Sequence, residues 1–221
     1  MKLFCVLSQH FAPMYKQFFE PSLRRVSPEL QIIPDVFEVG GNADFRSSGF
    51  NQALIYKWKR GLEFLHDNPE QIIFFTDVDM IFNKPFVQAV LHPMAEADIA
   101  VSPESVGDIK QWGVNVGVLA FRSNPQVRKF VSRILDEMIL RGQWDQFLFN
   151  SFLPQSKLRW KLLPHTFANG RVPATPDSIL YHATCTLPAP GKGSLELKME
   201  ALAQAEQFFA GKVSAMRPTP S

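Results

Sequence analysis

The stretch Gln71-Ile72-Ile73-Phe74-Phe75-Thr76-Asp77-Val78-Asp79-Met80-Ile81-Phe82 sets a β-branched and aromatic run directly before two carboxylates. Such a run reads as a buried strand that delivers Asp77 and Asp79 at its carboxyl end. Side chains two residues apart on an extended segment point to one face, so the pair repel each other unless a metal or a basic group lies between them. A divalent cation holding a diphosphate is the natural occupant. A solvated strand end or a helix cap is the plainer alternative for an isolated Asp-x-Asp.

Working outward, Phe50, Leu54, Trp58, Leu62 and Leu65 recur at helical spacing and predict an amphipathic helix that ends near Asp67-Asn68-Pro69. Before it, residues 2–8 read as a strand, 11–26 as a helical segment interrupted at Pro21, 30–39 as a strand, and Gly40-Gly41-Asn42-Ala43-Asp44 as a turn-rich loop. After the aspartates, Asn83-Lys84-Pro85 stops the extension ahead of a short helix over 86–95. A strand over 98–102, a loop over 103–113 and a buried strand over 114–121 follow. Asn124 caps a helix with Pro125 at its first position, running to about Arg141, and a shorter helix begins near Asp145. Extended pieces at 158–163 and 178–182 precede a helix over 194–210. This alternation predicts an α/β, Rossmann-like single domain over residues 1–215, with a central, mainly parallel sheet flanked by helices and a flexible tail at 216–221. Ligands of such sheets gather at the carboxyl ends of strands, where Asp77 and Asp79 fall.

At 221 residues and 46% hydrophobic content the chain can bury a sizeable core, and twenty Phe against three Tyr weight its aromatics toward that core. A net charge of +2 without a long basic run argues against a nucleic-acid partner. Cys5 and Cys185 form neither a disulfide framework nor a metal cluster, so reduced thiols are expected. No stretch reaches the ~18 apolar residues of a membrane span, and Met1–Ser8 reads as a strand and not a leader. A soluble, cytoplasmic protein is the expectation.

The order of motifs is more specific than any one of them. An apolar strand ending in Asp77-Val78-Asp79, a strand carrying Asn115-x-Gly117, Trp144-Asp145-Gln146 opening a helix, Leu163-Pro164, Phe167-Ala168-Asn169-Gly170 and Tyr181-His182 together resemble the nucleotide-diphospho-sugar transferases. These are metal-dependent glycosyltransferases of the GT-A fold, and the resemblance runs from about residue 50 to 198. It implies that Asp77, Asp79 and His182 hold Mn²⁺ or Mg²⁺, with Asp79 the firmer ligand and Asp77 bridging toward the ribose. Hard divalent ions favour such oxygen donors, and manganese also accepts an imidazole. By itself His182 also reads as a hydrogen-bonded core histidine.

The resemblance further implies that Asn115 and Gly117 line the sugar site. Asp145 and Gln146 would lie near the anomeric carbon, the catalytic position in related retaining enzymes. A tight-packing glycine and a helix N-terminus explain the same residues without chemistry. A lysine after the histidine would contact the diphosphate; here Lys192 is the first candidate and Lys198 the second. Lys57 or Lys59 on the preceding helix is placed to approach the nucleotide, and Asn169-Gly170-Arg171 either shapes the acceptor side or forms a simple β-turn. The implied reaction is transfer from a nucleoside diphosphate sugar, UDP favoured, to a glycan or other acceptor hydroxyl, with retention. Glu104, Asp108 and Asp145 all fall where a base could act. The alternatives are a haloacid dehalogenase-type phosphatase, which also carries strand-end Asp-x-Asp, and a non-catalytic nucleotide-sugar or glycan binder.

Overall fold

The computed structural model describes residues 1–38, 48–106, 113–184 and 192–216. β1 (Lys2–Ser8) runs parallel to β2 (Gln31–Phe37) on one side and to β3 (Ile72–Thr76) on the other. Its side chains alternate between two cores, Leu3, Cys5 and Leu7 facing one and Phe4 and Val6 the other. A strand buried on both faces has no polar side to show, so its sequence is one continuous apolar run. β2 is an edge strand, where Pro34 is tolerated.

Between β1 and β2, residues 9–26 are helical throughout, with a π turn at Tyr15–Phe19 leading into α1 (Glu20–Val26). The interruption expected at Pro21 does not occur. The widened turn just before it leaves Pro21 in the first turn of α1, where a missing N–H costs least. Next come α2 (Ser48–Asp67), β3, β4 (Met80–Phe82), α3 (Val87–Met94), β5 (Ile99–Pro103) and β6 (Val114–Arg122). They are followed by α4 (Pro125–Arg141), α5 (Asp145–Phe152), β7 (Trp160–Leu162), β8 (Phe167–Asn169), β9 (Leu180–His182) and α6 (Ser194–Phe209). Asn124 caps α4 by accepting from the Val127 N–H at 2.8 Å, and Gly142, at φ +61°, ends it in the left-handed region.

The central sheet has the order β2-β1-β3-β6-β5-β7, and among its strands β6 alone runs antiparallel to its neighbours. The chain is thus a mixed α/β domain whose sheet is largely parallel. α2, α4 and α5 cover one face around Trp58, Phe75, Val131 and Phe149. The helical segment 9–26, α3 and α6 cover the other, where Phe74 and Phe82 each pack against Phe86 in a tilted arrangement with ring centroids 5.0 Å apart.

A second, three-stranded sheet of order β4-β9-β8 corrects one expectation. The extension does not carry the aspartates on one strand to Phe82, because the chain leaves β3 after Thr76, bends through Asp77–Asp79 and joins the small sheet at Met80. Residues 167–169 form β8, parallel to β9, ahead of the Asn169-Gly170 turn. The expected loop at 40–44, residues 107–112 of the loop at 103–113, Cys185 and residues 217–221 of the expected tail lie outside the described residues. Cys5 is buried in the core, which pushes its thiol pKa up. Among the described residues no helix is long and apolar enough to cross a membrane.

Candidate active site

The bend between the two sheets places the carboxylates. The Asp77 N–H donates to Gly117 O at 2.8 Å, its last bond toward the large sheet, and Asp79 O accepts from the Ala183 N–H of the segment after β9 at 2.8 Å. That change of partner turns Asp79 inward, leaving its side chain 7% exposed against 34% for Asp77. β9 pairs antiparallel with β4, setting His182 opposite Met80. His182 Nε2 then lies 3.0 Å from Asp79 Oδ1 and 3.8 Å from Asp77 Oδ2.

One donor atom from each of Asp77, Asp79 and His182 can be chosen so that all lie within 4.8 Å of one another. Two carboxylates and one imidazole at that spacing could hold a single divalent metal ion. Among the described residues the buried His182 Nδ1 has no hydrogen-bond partner, and Nε2 is able to donate to Asp79 or to ligate. The donor set fits the ion that the motif implies.

Each aspartate also has a lysine. Lys57, buried on α2, donates to Asp77 Oδ1 at 2.5 Å and to Val116 O at 3.4 Å. Burial works against its charge, but Asp77 and Asp145 hold its pKa above the usual value. Lys59, two residues on, points to solvent from the opposite side of the helix. Lys198, from α6, donates to Asp79 Oδ2. Burial alone would raise the pKa of Asp79, yet Lys198 and His182 together hold it far below the carboxylate range.

The structure does not bring Lys192 to this cluster. It stands just before α6, exposed, and pairs with Glu200 on the solvent side. A helix presents one face to its neighbours, and the face of α6 turned toward Asp79 carries Lys198 together with Ser194, four residues earlier.

Asn115 and Gly117 reach the site through an irregularity. The β5–β6 register jumps between Val101, which faces Leu119, and Ser102, which faces Asn115. The extra residues of β6 form a bulge, a device that re-aims backbone next to a site. Asn115 Oδ1 accepts from the Gly117 N–H at 2.9 Å and pins the bulge, while Asn115 Nδ2 donates to Glu104 Oε2 at 2.8 Å. A Cβ on Gly117 would overlap His182 Cε1 and lie 2.6 Å from Asp77 Oδ2, so only glycine leaves room there.

Asp145 opens α5 and is buried beside this group. Its Oδ2 accepts from Trp58 Nε1 at 2.9 Å and its Oδ1 from the Gln146 N–H at 2.8 Å. Burial pushes its pKa up against the pull of Lys57 and the indole. The Trp58 bond has no local signal, since the partners lie 87 residues apart. Glu104, one of the possible bases, is held by Asn115 and by Arg171 Nη1 at 3.2 Å, and Asp108 lies outside the described residues. Asn169 makes a side-chain turn, its Oδ1 accepting from the Arg171 and Val172 N–H groups.

A cleft opens at the carboxyl ends of β1 and β3. Its lining combines apolar Leu7, Phe11, Phe37 and Leu54 with charged Lys57, Asp77, Asp79 and Lys198, and Lys198 Nζ lies 5.9 Å from the centroid of the Phe11 ring. Ser8 lies on its wall with a buried hydroxyl that has no hydrogen-bond partner among the described residues.

The sequence model of the nucleotide-diphospho-sugar transferase family matches residues 39–199. No curated protein sequence matches. Among solved structures, the chain is similar to a glycosyltransferase involved in glycosylation of the major capsid of the virus PBCV-1, with TM-score 0.59, 11% identity and coverage of 92% of this chain and 99% of that one. It is equally similar to the galactosyltransferase LgtC in complex with donor and acceptor sugar analogues, with TM-score 0.59, 13% identity and 98% of each chain covered. Mouse xyloside xylosyltransferase 1 follows, with TM-score 0.52, 12% identity and coverage of 86% and 99%. At these identities the likeness speaks for the fold, which is that of GT-A glycosyltransferases.

Proposed function

The chain belongs to the nucleotide-diphospho-sugar transferase family, and from that premise we propose that it moves a sugar from a UDP-sugar to an acceptor hydroxyl, with retention and in dependence on a divalent ion. The observation that carries the reading is the convergence of Asp77, Asp79 and His182 into one cluster, with both aspartates on the wall of a cleft that also carries apolar side chains. A nucleoside diphosphate offers surfaces of both kinds: its diphosphate would lie against the charged groups and its base against apolar lining.

Asp77, Asp79 and His182 would hold Mn²⁺ or Mg²⁺, which when bound neutralises the diphosphate and stabilises it as leaving group. Lys198 is assigned the phosphate oxygens, in place of Lys192. Lys57 fixes Asp77 from behind, and the glycine at 117 keeps space beside the ligands. Asp145, held in place by N–H donors on both carboxylate oxygens, is assigned a position near the anomeric centre. Gln146, in the first turn of α5, is assigned the sugar hydroxyls.

Titration of UDP, GDP and CDP with and without Mn²⁺ tests this on wild type and on Asp79→Ala. Expected are binding of UDP that requires Mn²⁺, its loss in Asp79→Ala with the fold intact, and Mn²⁺-dependent hydrolysis of a UDP-sugar by wild type alone. Retention of turnover in the variant would refute the ion site.

A further inference from the structure

Asp145 is buried, and its two carboxylate oxygens are held by donors of different kinds. Oδ1 accepts from the N–H of Gln146, the next residue of the chain, at 2.8 Å, and Oδ2 accepts from Trp58 Nε1, on α2, at 2.9 Å. The first bond travels with α5; the second ties the carboxylate to another element. Resting on the sugar-transfer reading above, we propose that Trp58 is a positioning residue for that reaction, its indole N–H fixing the orientation of the Asp145 carboxylate from across the fold.

The surroundings of Trp58 make it a fixed point. It is fully buried, edge-to-face with Phe75 at 5.9 Å between centroids and tilted against Phe149 at 6.1 Å. A ring enclosed at core density cannot turn its N–H elsewhere. Gly61, three residues on, lets α2 come this close to the sheet, since a Cβ there would lie 3.1 Å from Phe75 Cζ. Bulk in this core is also supplied by Phe75, Phe121, Phe130 and Phe149; a donor is what tryptophan adds. The preceding residue, Lys57, donates to Asp77 Oδ1 at 2.5 Å, so adjacent positions on one turn of α2 brace two carboxylates that come from separate segments.

Burial works against the charge of Asp145, and the Lys57 ammonium and the Trp58 N–H favour it. A hydrogen bond to a charged acceptor is one of the stronger kinds, and removing its donor leaves a buried oxygen to be satisfied again. Without Trp58 the carboxylate is free to rotate about its own side-chain bonds. Misplacing a group beside the reacting centre by about 1 Å lowers turnover, while the hold on the nucleotide, made by other residues, is kept.

The test replaces Trp58 by β-(3-benzothienyl)alanine, which keeps the bicyclic shape and exchanges only the N–H for sulfur, and in parallel makes Trp58→Phe. The readouts are Mn²⁺-dependent binding of UDP and steady-state hydrolysis of whichever of UDP-glucose, UDP-galactose and UDP-xylose wild type turns over. The sulfur isostere is expected to lose on the order of 10-fold in kcat, with KM and UDP affinity unchanged. In an Asp145→Ala background, which lacks the acceptor, the same replacement should change kcat by less than about twofold. Trp58→Phe is expected to lose kcat equally and also to melt at lower temperature, because it leaves a cavity. A role confined to packing predicts wild-type kcat in the isostere. That result, or an equal loss with and without the Asp145 carboxylate, overturns the proposal. Failure of the underlying reading looks different: wild type without turnover of any of the three donors, or Asp145→Ala as active as wild type, removes the role of Asp145 and this proposal with it.

Discussion

Gly117 shows how much one position constrains this site. Its missing side chain is the space in which His182 and Asp77 approach each other, and an added methyl must displace the imidazole or the carboxylate. Gly117→Ala is therefore expected to fold yet lose on the order of 100-fold in turnover, the usual cost of moving a reacting group by about 1 Å. Steady-state UDP-sugar hydrolysis in Mn²⁺ measures it, and unchanged turnover would mark Gly117 as a packing glycine only. From the sequence, a glycine inside a strand announces either close approach or tight packing. Which atoms approach became visible only when the bulge of β6 met β9 in space. Lys192 and Lys198 teach the same lesson, because both follow His182 and only the face that α6 turns inward separates them.

At the level of elements, Asp98 ties three together. Its carboxylate accepts from Arg159 N, Nε and Nη2, just before β7, and from Asn124 Nδ2, the cap of α4, while Asp98 itself precedes β5. The Arg159 bonds outweigh burial and hold its carboxyl below the usual range. Because the folded pKa lies below the unfolded value of about 3.9, the stabilisation is complete above that value and is lost as pH falls through the folded pKa. Asp98→Asn should cost about 1–3 kcal/mol at pH 7, with the difference in Tm from wild type shrinking toward pH 3. Thermal melts between pH 7 and 2.5 check this, and a difference constant across that range would contradict it. The cap itself was legible, since Asn124-Pro125 before an apolar periodic run is a local signal. Its anchor was not, because Asp98 and Arg159 are 61 residues apart.

Across the whole molecule, the site joins parts that are otherwise separately hydrogen-bonded. Asp77 leaves the six-stranded sheet, His182 belongs to the three-stranded one, and Lys198 comes from the last helix. A ligand bound across them stabilises the folded chain by mass action. With Mn²⁺ present and UDP at 100 times its Kd, stabilisation of about 2.7 kcal/mol is expected, or roughly 5–10 °C in Tm for a domain of this size. Calorimetry should find this shift in wild type and none in Asp79→Ala; equal shifts would place the ligand elsewhere. The sequence by itself determined the alternation of strands and helices, the buried strand that leads into Asp77-Val78-Asp79, and the helix starts at Pro125 and Asp145. These depend on periodicity, capping and apolar runs within a few residues. The tertiary structure alone decided the reversal of β6, the bulge at Gly117, the small sheet that takes up Met80–Phe82, and the choice of Lys198 over Lys192. Each of these depends on which distant strand supplies a backbone partner or which face a distant helix presents, and neither leaves a mark in local sequence.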